Sequence, residues 1–362
     1  LNIAVLYIEK EEFLFSCQNA PTQEAARVLE CKGHEIREVL TIVGKSEAKR
    51  AVEFLKAGTD ALLVAGDCGA FREAFGGQYT FLDSAPVFEI DGLLCILAPE
   101  LTCGFIEKTV LPALNSKTKV YYATAAFKTF GASAGELNTL LSDCIRNKNK
   151  IAVSIIERSH LECEVRVRYS NKTKKEVLDA LCGKIAALLS DYAYSEKCET
   201  LAEAVSAILR GRNQKVCIAE SFTGGGVTRA LVAIGGASQI VKEGIVSYSV
   251  ESKMDRLDVE PLILEEFGAA SIETVYEMAA NLLMFNPDCA YAVATTGNAE
   301  PQTDVIRGLT QAPYFFVAAG DSYGIHIYRY EYTAPRNDVI EFGVKAALFR
   351  LLKKMTEVVN NE

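Results

Sequence analysis

The chain has 362 residues, 49% hydrophobic and 23% charged, and carries a net charge of −9. That length exceeds one ordinary core and that composition is globular, so two or three folded domains are expected and a disordered chain is excluded. The acidic balance argues against a nucleic-acid binder, and the short basic runs at 146–150 (RNKNK) and 172–175 (KTKK) read as solvated helix ends or turns.

Residues 2–115 alternate strand and helix. NIAVLYI reads as a strand, TQEAARVLECKG as a helix closed by Gly33, EIREVLTI as a strand and SEAKRAVEFLKAG as a helix ending at Gly58. DALLVAG and LLCILAP follow as strands, then the helix ELTCGFIEKTVLPAL. Such alternation predicts a parallel sheet with helices on both faces. From about 118 the pattern changes: KVYYATAAF is a strand and SAGELNTLLSDCIRN a helix with Ser133 as its N-cap. IAVSIIE and CEVRVRYS form a strand pair around 158–161, and KKEVLDALCGKIAALLSDYAYS is a long amphipathic helix. The α/β alternation restarts at 199 with TLAEAVSAILRGR (helix), KVCIAES (strand), GGGVTRALVAIG (helix) and GIVSYS (strand). SIETVYEMAANLLMF is a helix, CAYAVATTG, APYFFVAAG and GIHIYRYEYTA are strands, and NDVIEFGVKAALFRLLKKMTEVV closes as a helix with apolar residues three and four apart.

No apolar run approaches the ~18 residues of a membrane span, and the opening LNIAVLYIEKEE has neither the basic region nor the cleavage site of a signal peptide. The 11 cysteines include no C-x-x-C pair, and Cys17, Cys31, Cys68, Cys95 and Cys103 mostly sit in apolar stretches as small core residues. A reducing, cytoplasmic location is expected. The histidines, His34, His160 and His326, are too dispersed for a metal site, so neither a metal nor a cofactor is expected.

The segment with most chemistry is Ala219-Glu-Ser-Phe-Thr-Gly-Gly-Gly226, between a strand and a helix. Its glycines let the backbone approach a ligand, and free N–H groups at the helix start favour an anion. It is neither a Walker A loop nor G-x-G-x-x-G, which leaves a dinucleotide-dependent oxidoreductase without support. Ser221 ends its strand and needs a base to become a nucleophile; the next strand ends in Tyr248-Ser-Val-Glu-Ser-Lys253 and a third in Thr295-Thr296-Gly297. Loops after successive parallel strands share one sheet edge, so Ser221, Tyr248, Lys253 and Thr296 are placed to converge there. The same residues also fit a helix-capping Ser221, a half-buried Tyr248 and a solvated Lys253.

Taken together, A-E-S-x-T-G-G at 219–225, G-A-S at 236–238, G-I-V-x-Y-S-x-x-x-K at 244–253 and T-G-x-A-x-P at 296–301 resemble the CinA C-terminal family, the nicotinamide-nucleotide amidases. The resemblance implies hydrolysis of the carboxamide of nicotinamide mononucleotide to the acid and ammonia. It further implies catalytic roles for Ser221, Tyr248 and Lys253, with Ser238 as a competing nucleophile. Substrate contacts are implied for Thr223, Gly224, Gly225, Thr296, Gly297 and Arg336. It extends loosely over the rest of the chain, since full-length CinA proteins have a MoaB-like domain and a small middle domain before the amidase. The expected fold is therefore α/β: a degenerate MoaB-like three-layer domain over 1–117, a small α+β domain over 118–195 and a CinA C-terminal α/β domain over 196–362. A homo-oligomer, a dimer, is the implied assembly, with a small-molecule nucleotide as the partner and neither nucleic acid nor membrane.

Departures from the family pattern are plain. T-G-G-L-G-P-T-x-D-D becomes Ala65-Gly-Asp-Cys-Gly-Ala-Phe-Arg-Glu-Ala74, which removes the phosphate and metal ligands of the N-terminal domain. A-G-P-x-G-G becomes Ala299-Glu-Pro-Gln-Thr-Asp304, the final-helix V-R becomes Val339-Ile340, and Val250 replaces the Asn after Tyr-Ser. An alternative is therefore carried forward: a catalytically impaired CinA-like nucleotide-binding or scaffold protein.

Overall fold

The computed structural model describes residues 1–9, 28–29, 34–76, 86–99, 101–116, 122–146, 151–197, 199–304 and 309–357. The helix expected over TQEAARVLECKG lies almost wholly outside these residues, as do Cys17, Cys31 and most of RNKNK. The chain packs into two compact units. One comprises Leu1–Ala126, Leu141–Ser154 and Arg166–Ala187, the other Phe127–Leu140, Ile155–Val165 and Leu188–Glu362.

The first unit is built on strands β1 (Asn2–Glu9), β2 (Glu35–Val43), β3 (Ala61–Gly66), β4 (Val87–Ile90) and β5 (Leu93–Ala98), in the spatial order β2-β1-β3-β5-β4. β2, β1, β3 and β5 run parallel, as the alternation predicts. β4 runs antiparallel to β5. It joins β5 through Asp91 and Gly92, both with positive φ, a D-G hairpin signal that the strand reading passed over. Side chains alternate along each strand. Ile3, Val5, Leu63 and Ile96 pack with Ile106, Val110 and Leu114 on one face. Ala4, Leu6, Leu62 and Val64 pack on the other with α1 (Ala48–Leu55) and α2 (Cys68–Phe75).

Strand β6 (Tyr122–Phe130) precedes α3 (Ala134–Leu140). Ser133 caps α3 as expected: its hydroxyl accepts from Glu136 N at 3.3 Å and the Glu136 carboxylate accepts from Ser133 N at 2.8 Å. β7 (Ala152–Ser159) and β8 (Glu162–Ser170) neighbour one another in one sheet, with His160 and Leu161 in the left-handed region between them. The long helix is shorter than its sequence pattern: α4 (Lys175–Leu188) stops before the short strand β9 (Ala193–Ser195), which pairs with Lys128 and Thr129 of β6.

The second unit holds β10 (Val216–Glu220), β11 (Val241–Val246), β12 (Tyr291–Asn298), β15 (Tyr314–Asp321) and β16 (Gly324–Glu331), in the order β11-β10-β12-β15-β16; the hairpin of β13 (Gln302–Asp304) and β14 (Leu309–Gln311) stands apart. β11, β10 and β12 are parallel, whereas β15 and β16 are antiparallel, as their short connection requires. Helices α5 (Leu201–Arg212), α6 (Gly226–Val232) and α9 (Arg336–Thr356) cover one face over Val216, Ile218, Val293 and Phe315. Helices α7 (Val250–Leu257) and α8 (Ile272–Phe285) cover the other over Cys217, Ala219, Ala292 and Ala294. Both faces of β10 are thus dry, which fixes the height at which its C-terminal end presents Glu220 and Ser221. Phe130 joins this core, its ring 5.3 Å from those of Phe342 and Phe349.

Candidate active site

The parallel register sets the site. Glu220 is opposite Val246 on one side and Thr295 on the other, so three strands end at one level. The chain continues the alignment beyond the strands: Ser221 N donates to Thr295 O at 3.0 Å, and Ser247 N to Glu220 O at 2.8 Å. Past Ser247 the chain turns into α7, whose N-cap Ser249 accepts from Ser252 N at 3.1 Å. Lys253 and Leu257 lie one helical turn apart on the buried face of α7. Helix α7 was not foreseen, and it is what carries Lys253 inward instead of leaving it solvated.

Lys253 is fully buried, and its Nζ donates to Ser221 Oγ at 2.9 Å, Ser247 O at 2.8 Å and Tyr248 O at 3.2 Å. Desolvation lowers its pKa to about 8. A neutral amine has two N–H groups and one lone pair. The ammonium form gives one N–H to each of these three oxygens, and on deprotonation the amine keeps two for the carbonyls and turns its lone pair to the Ser221 hydroxyl. Ser221 is 6% exposed and lines a cavity of about 390 Å³ with Tyr248, Lys253, Thr296, Gly297, Asn298, Tyr314 and the segment 267–270.

Other expected residues are placed differently. Tyr248 is 62% exposed; it gives its carbonyl to Lys253, and its hydroxyl accepts from Arg336 Nη2 at 3.3 Å. Arg336, in the first turn of α9, also pairs with Glu300 at 3.4 Å. Thr296 lines the cavity, but its hydroxyl donates to Ala269 O at 2.5 Å. Gly297 is glycine for a packing reason: a Cβ there would collide with Phe315 and stand 2.7 Å from Tyr314 O. Gly224 and Gly225 adopt positive φ in the turn after Ser221. Thr223 is buried, its hydroxyl 2.7 Å from Thr295 Oγ1 and donating to Glu220 Oε2 at 2.8 Å. None of these last three lines the cavity. Ser238 is exposed, just before β11. β11 starts opposite Val216 at the beginning of β10, so Ser238 stands about a strand's length, roughly 15 Å at ~3.3 Å per residue, from the Ser221 edge.

The anion site expected at the α6 start is filled from within. The fully buried Glu220 carboxylate accepts from Val227 N at 3.0 Å, Thr228 N at 2.8 Å and Thr228 Oγ1 at 2.7 Å, besides Thr223. A helix start with free N–H groups attracts an anion, and here the protein supplies its own. Glu220 was overlooked because an acid at the end of an apolar strand carries no sequence sign of burial. The segment 267–270 escaped notice too, although Gly268 shortly precedes the N-cap Ser271, whose hydroxyl accepts from Thr274 N at 3.1 Å. Among the described residues no group of three or more His, Cys, Asp and Glu could hold a metal, and no helix is long and apolar enough to cross a membrane.

Residues 198–355 match the family model described as the CinA C-terminal domain. A competence-damage inducible protein of Caldicellulosiruptor saccharolyticus is 31% identical over 278 residues, 74% of this chain and 66% of that protein. One from Clostridium perfringens is 32% identical over 212 residues, 58% of this chain and 50% of that protein. The chain thus spans between half and just under two thirds of these relatives. Among solved structures, a competence or damage-inducible protein from Enterobacter asburiae is 28% identical and covers 44% of this chain and 99% of that one, with a TM-score of 0.40.

Proposed function

The chain belongs to the CinA family, and on that premise we propose that it is an amidohydrolase cleaving the carboxamide of nicotinamide mononucleotide or a related nucleotide amide. The observation that carries this reading is the buried Lys253 amine, 2.9 Å from Ser221 Oγ in the wall of a cavity, with its pKa lowered to about 8. In the proposed reaction the neutral amine takes the Ser221 hydroxyl proton as Oγ adds to the amide carbon. The tetrahedral adduct collapses, the C–N bond breaks, and the nitrogen leaves as ammonia with the proton returned by Lys253. Water, deprotonated by the same amine, attacks the acyl-Ser221 ester; the C–Oγ bond breaks, the Lys253 ammonium returns the proton to Ser221 Oγ, and the acid is released. The two carbonyls on Lys253 hold its orientation through both proton transfers.

Arg336, half exposed and held against Tyr248, is the cation assigned to a substrate phosphate at the cavity mouth. Its pairing with Glu300 favours the second reading, a nucleotide-binding protein of reduced turnover, because a neutralised guanidinium attracts phosphate less. The first unit is assigned a structural role as a degenerate MoaB-like domain. The two acids of its segment 65–74 have internal duties, Asp67 capping α2 through Ala70 N at 3.0 Å and Glu73, within α2, pairing with Lys45 at 2.6 Å.

Quenching the protein with acid during turnover of nicotinamide mononucleotide tests the reaction path. An acyl mass on the peptide bearing Ser221 is expected; an acyl group on Ser238, or turnover with no trapped adduct in any slow variant, would count against it.

A further inference from the structure

The oxyanion formed on the substrate needs a donor, and none of residues 222–228 of the loop that the sequence offers lines the cavity. Gly224 N donates to Ser221 O at 3.0 Å, and Val227 N and Thr228 N are taken by Glu220. That carboxylate, moreover, puts negative charge beneath the loop, where a second anion is disfavoured. The donor must come from the cavity wall. There Ser221 and Lys253 bond to each other, Thr296 is spent on Ala269 O, and the Tyr248 hydroxyl is drawn to Arg336. Asn298 and Tyr314 remain: the Tyr314 ring is packed against Phe316 and beneath the Arg329 guanidinium, whereas Asn298 lines the cavity with a carboxamide that has no hydrogen-bond partner among the described residues. Strand alternation explains its aim. Thr295 turns to Thr223 on the α6 side, so Thr296 and Asn298 share the opposite face, where the segment 267–270 closes the cavity.

We propose that Asn298 is a catalytic residue whose Nδ2 donates a hydrogen bond to the carbonyl oxygen of the scissile amide as it becomes an oxyanion. The inference rests on the amidase reading of the Ser221 site. Its donation strengthens as charge develops, so it acts on the barrier more than on binding. Because Asn298 ends β12 beside the cavity, truncating it removes no core contact.

The test compares wild type, Asn298→Ala and the near-isosteric Asn298→Asp, which lacks the donor. Steady-state rates are measured on nicotinamide mononucleotide, and pre-steady-state bursts on p-nitrophenyl acetate. Expected are a fall in kcat of about 100-fold in both variants with KM within about 3-fold, an unchanged pH midpoint, and a slower Ser221-dependent burst. A kcat within about 3-fold of wild type, or a loss confined to KM, overturns the assignment to Asn298. So does an unaltered burst rate, even where no nucleotide amide is turned over. The absence of any burst that Ser221→Ala abolishes overturns the amidase reading itself, and the role of Asn298 with it.

Discussion

Lys253 and Ser221 are 32 residues apart in sequence and 2.9 Å apart at their side-chain tips, and main-chain carbonyls rather than a carboxylate hold the lysine. A carboxylate would stabilise the ammonium. Burial without one lowers the pKa to about 8, so the amine can serve as a base near neutrality.

The sign of the pH dependence follows. The base must be neutral, so log kcat/KM rises with unit slope up to about pH 8 and is level above it. The same lowered pKa means that the unfolded chain binds more protons than the folded one between about 8 and the ordinary 10.5, so this group's contribution to stability grows as pH rises through that window. Lys253→Arg, always protonated, is expected to lose at least ~100-fold in rate with no recovery at high pH. A rate that falls as pH rises through 8 would assign Lys253 the role of a proton donor instead.

Glu220→Gln keeps the shape but not the acceptors, since a carboxamide presents one oxygen where four donors now converge. A loss of about 2–3 kcal/mol is expected for buried donors left unpaired, together with slower turnover as the Ser221 turn loosens. Urea unfolding measures the first; a midpoint unchanged from wild type would contradict the internal-anion role.

Glycines separate by what a methyl group would meet. Gly297→Ala collides with the β15 backbone and is expected to destabilise by about 1–3 kcal/mol. Gly235→Ala meets nothing within 4 Å and should stay within about 0.5 kcal/mol of wild type. Equal melting temperatures for the two variants would show that β12 does not approach Phe315 as closely as described.

Much of this was legible in the sequence. Apolar runs bounded by glycine gave β10 and β12, and the parallel-strand rule brought Ser221, Lys253 and Thr296 to one edge. What escaped depends on pairing across the sheet. The antiparallel β15 and β16 read as strands without a direction. Ser238 falls at the far end because its loop leads into β11 rather than out of it. Helix α7 is only 8 residues long, too short for periodicity to announce, and so Lys253 read as readily solvated as buried.

Phe130 lies before the boundary drawn at 196, yet its ring stacks into the core beside Phe342 and Phe349. Phe130→Ala is expected to cost about 3–5 kcal/mol. A chain begun at 196 is accordingly expected to unfold at lower denaturant than one that retains 127–195. Identical denaturation midpoints for the two would remove β6 from the fold of the second unit.

Ammonia release from nicotinamide mononucleotide, measured at pH 8.5 or about that value for wild type, Ser221→Ala, Lys253→Ala and Ser238→Ala, bears most directly on the account. Release by wild type and Ser238→Ala, with losses of at least ~100-fold in the other two, is the predicted result. Release that survives in Ser221→Ala and vanishes in Ser238→Ala would contradict it.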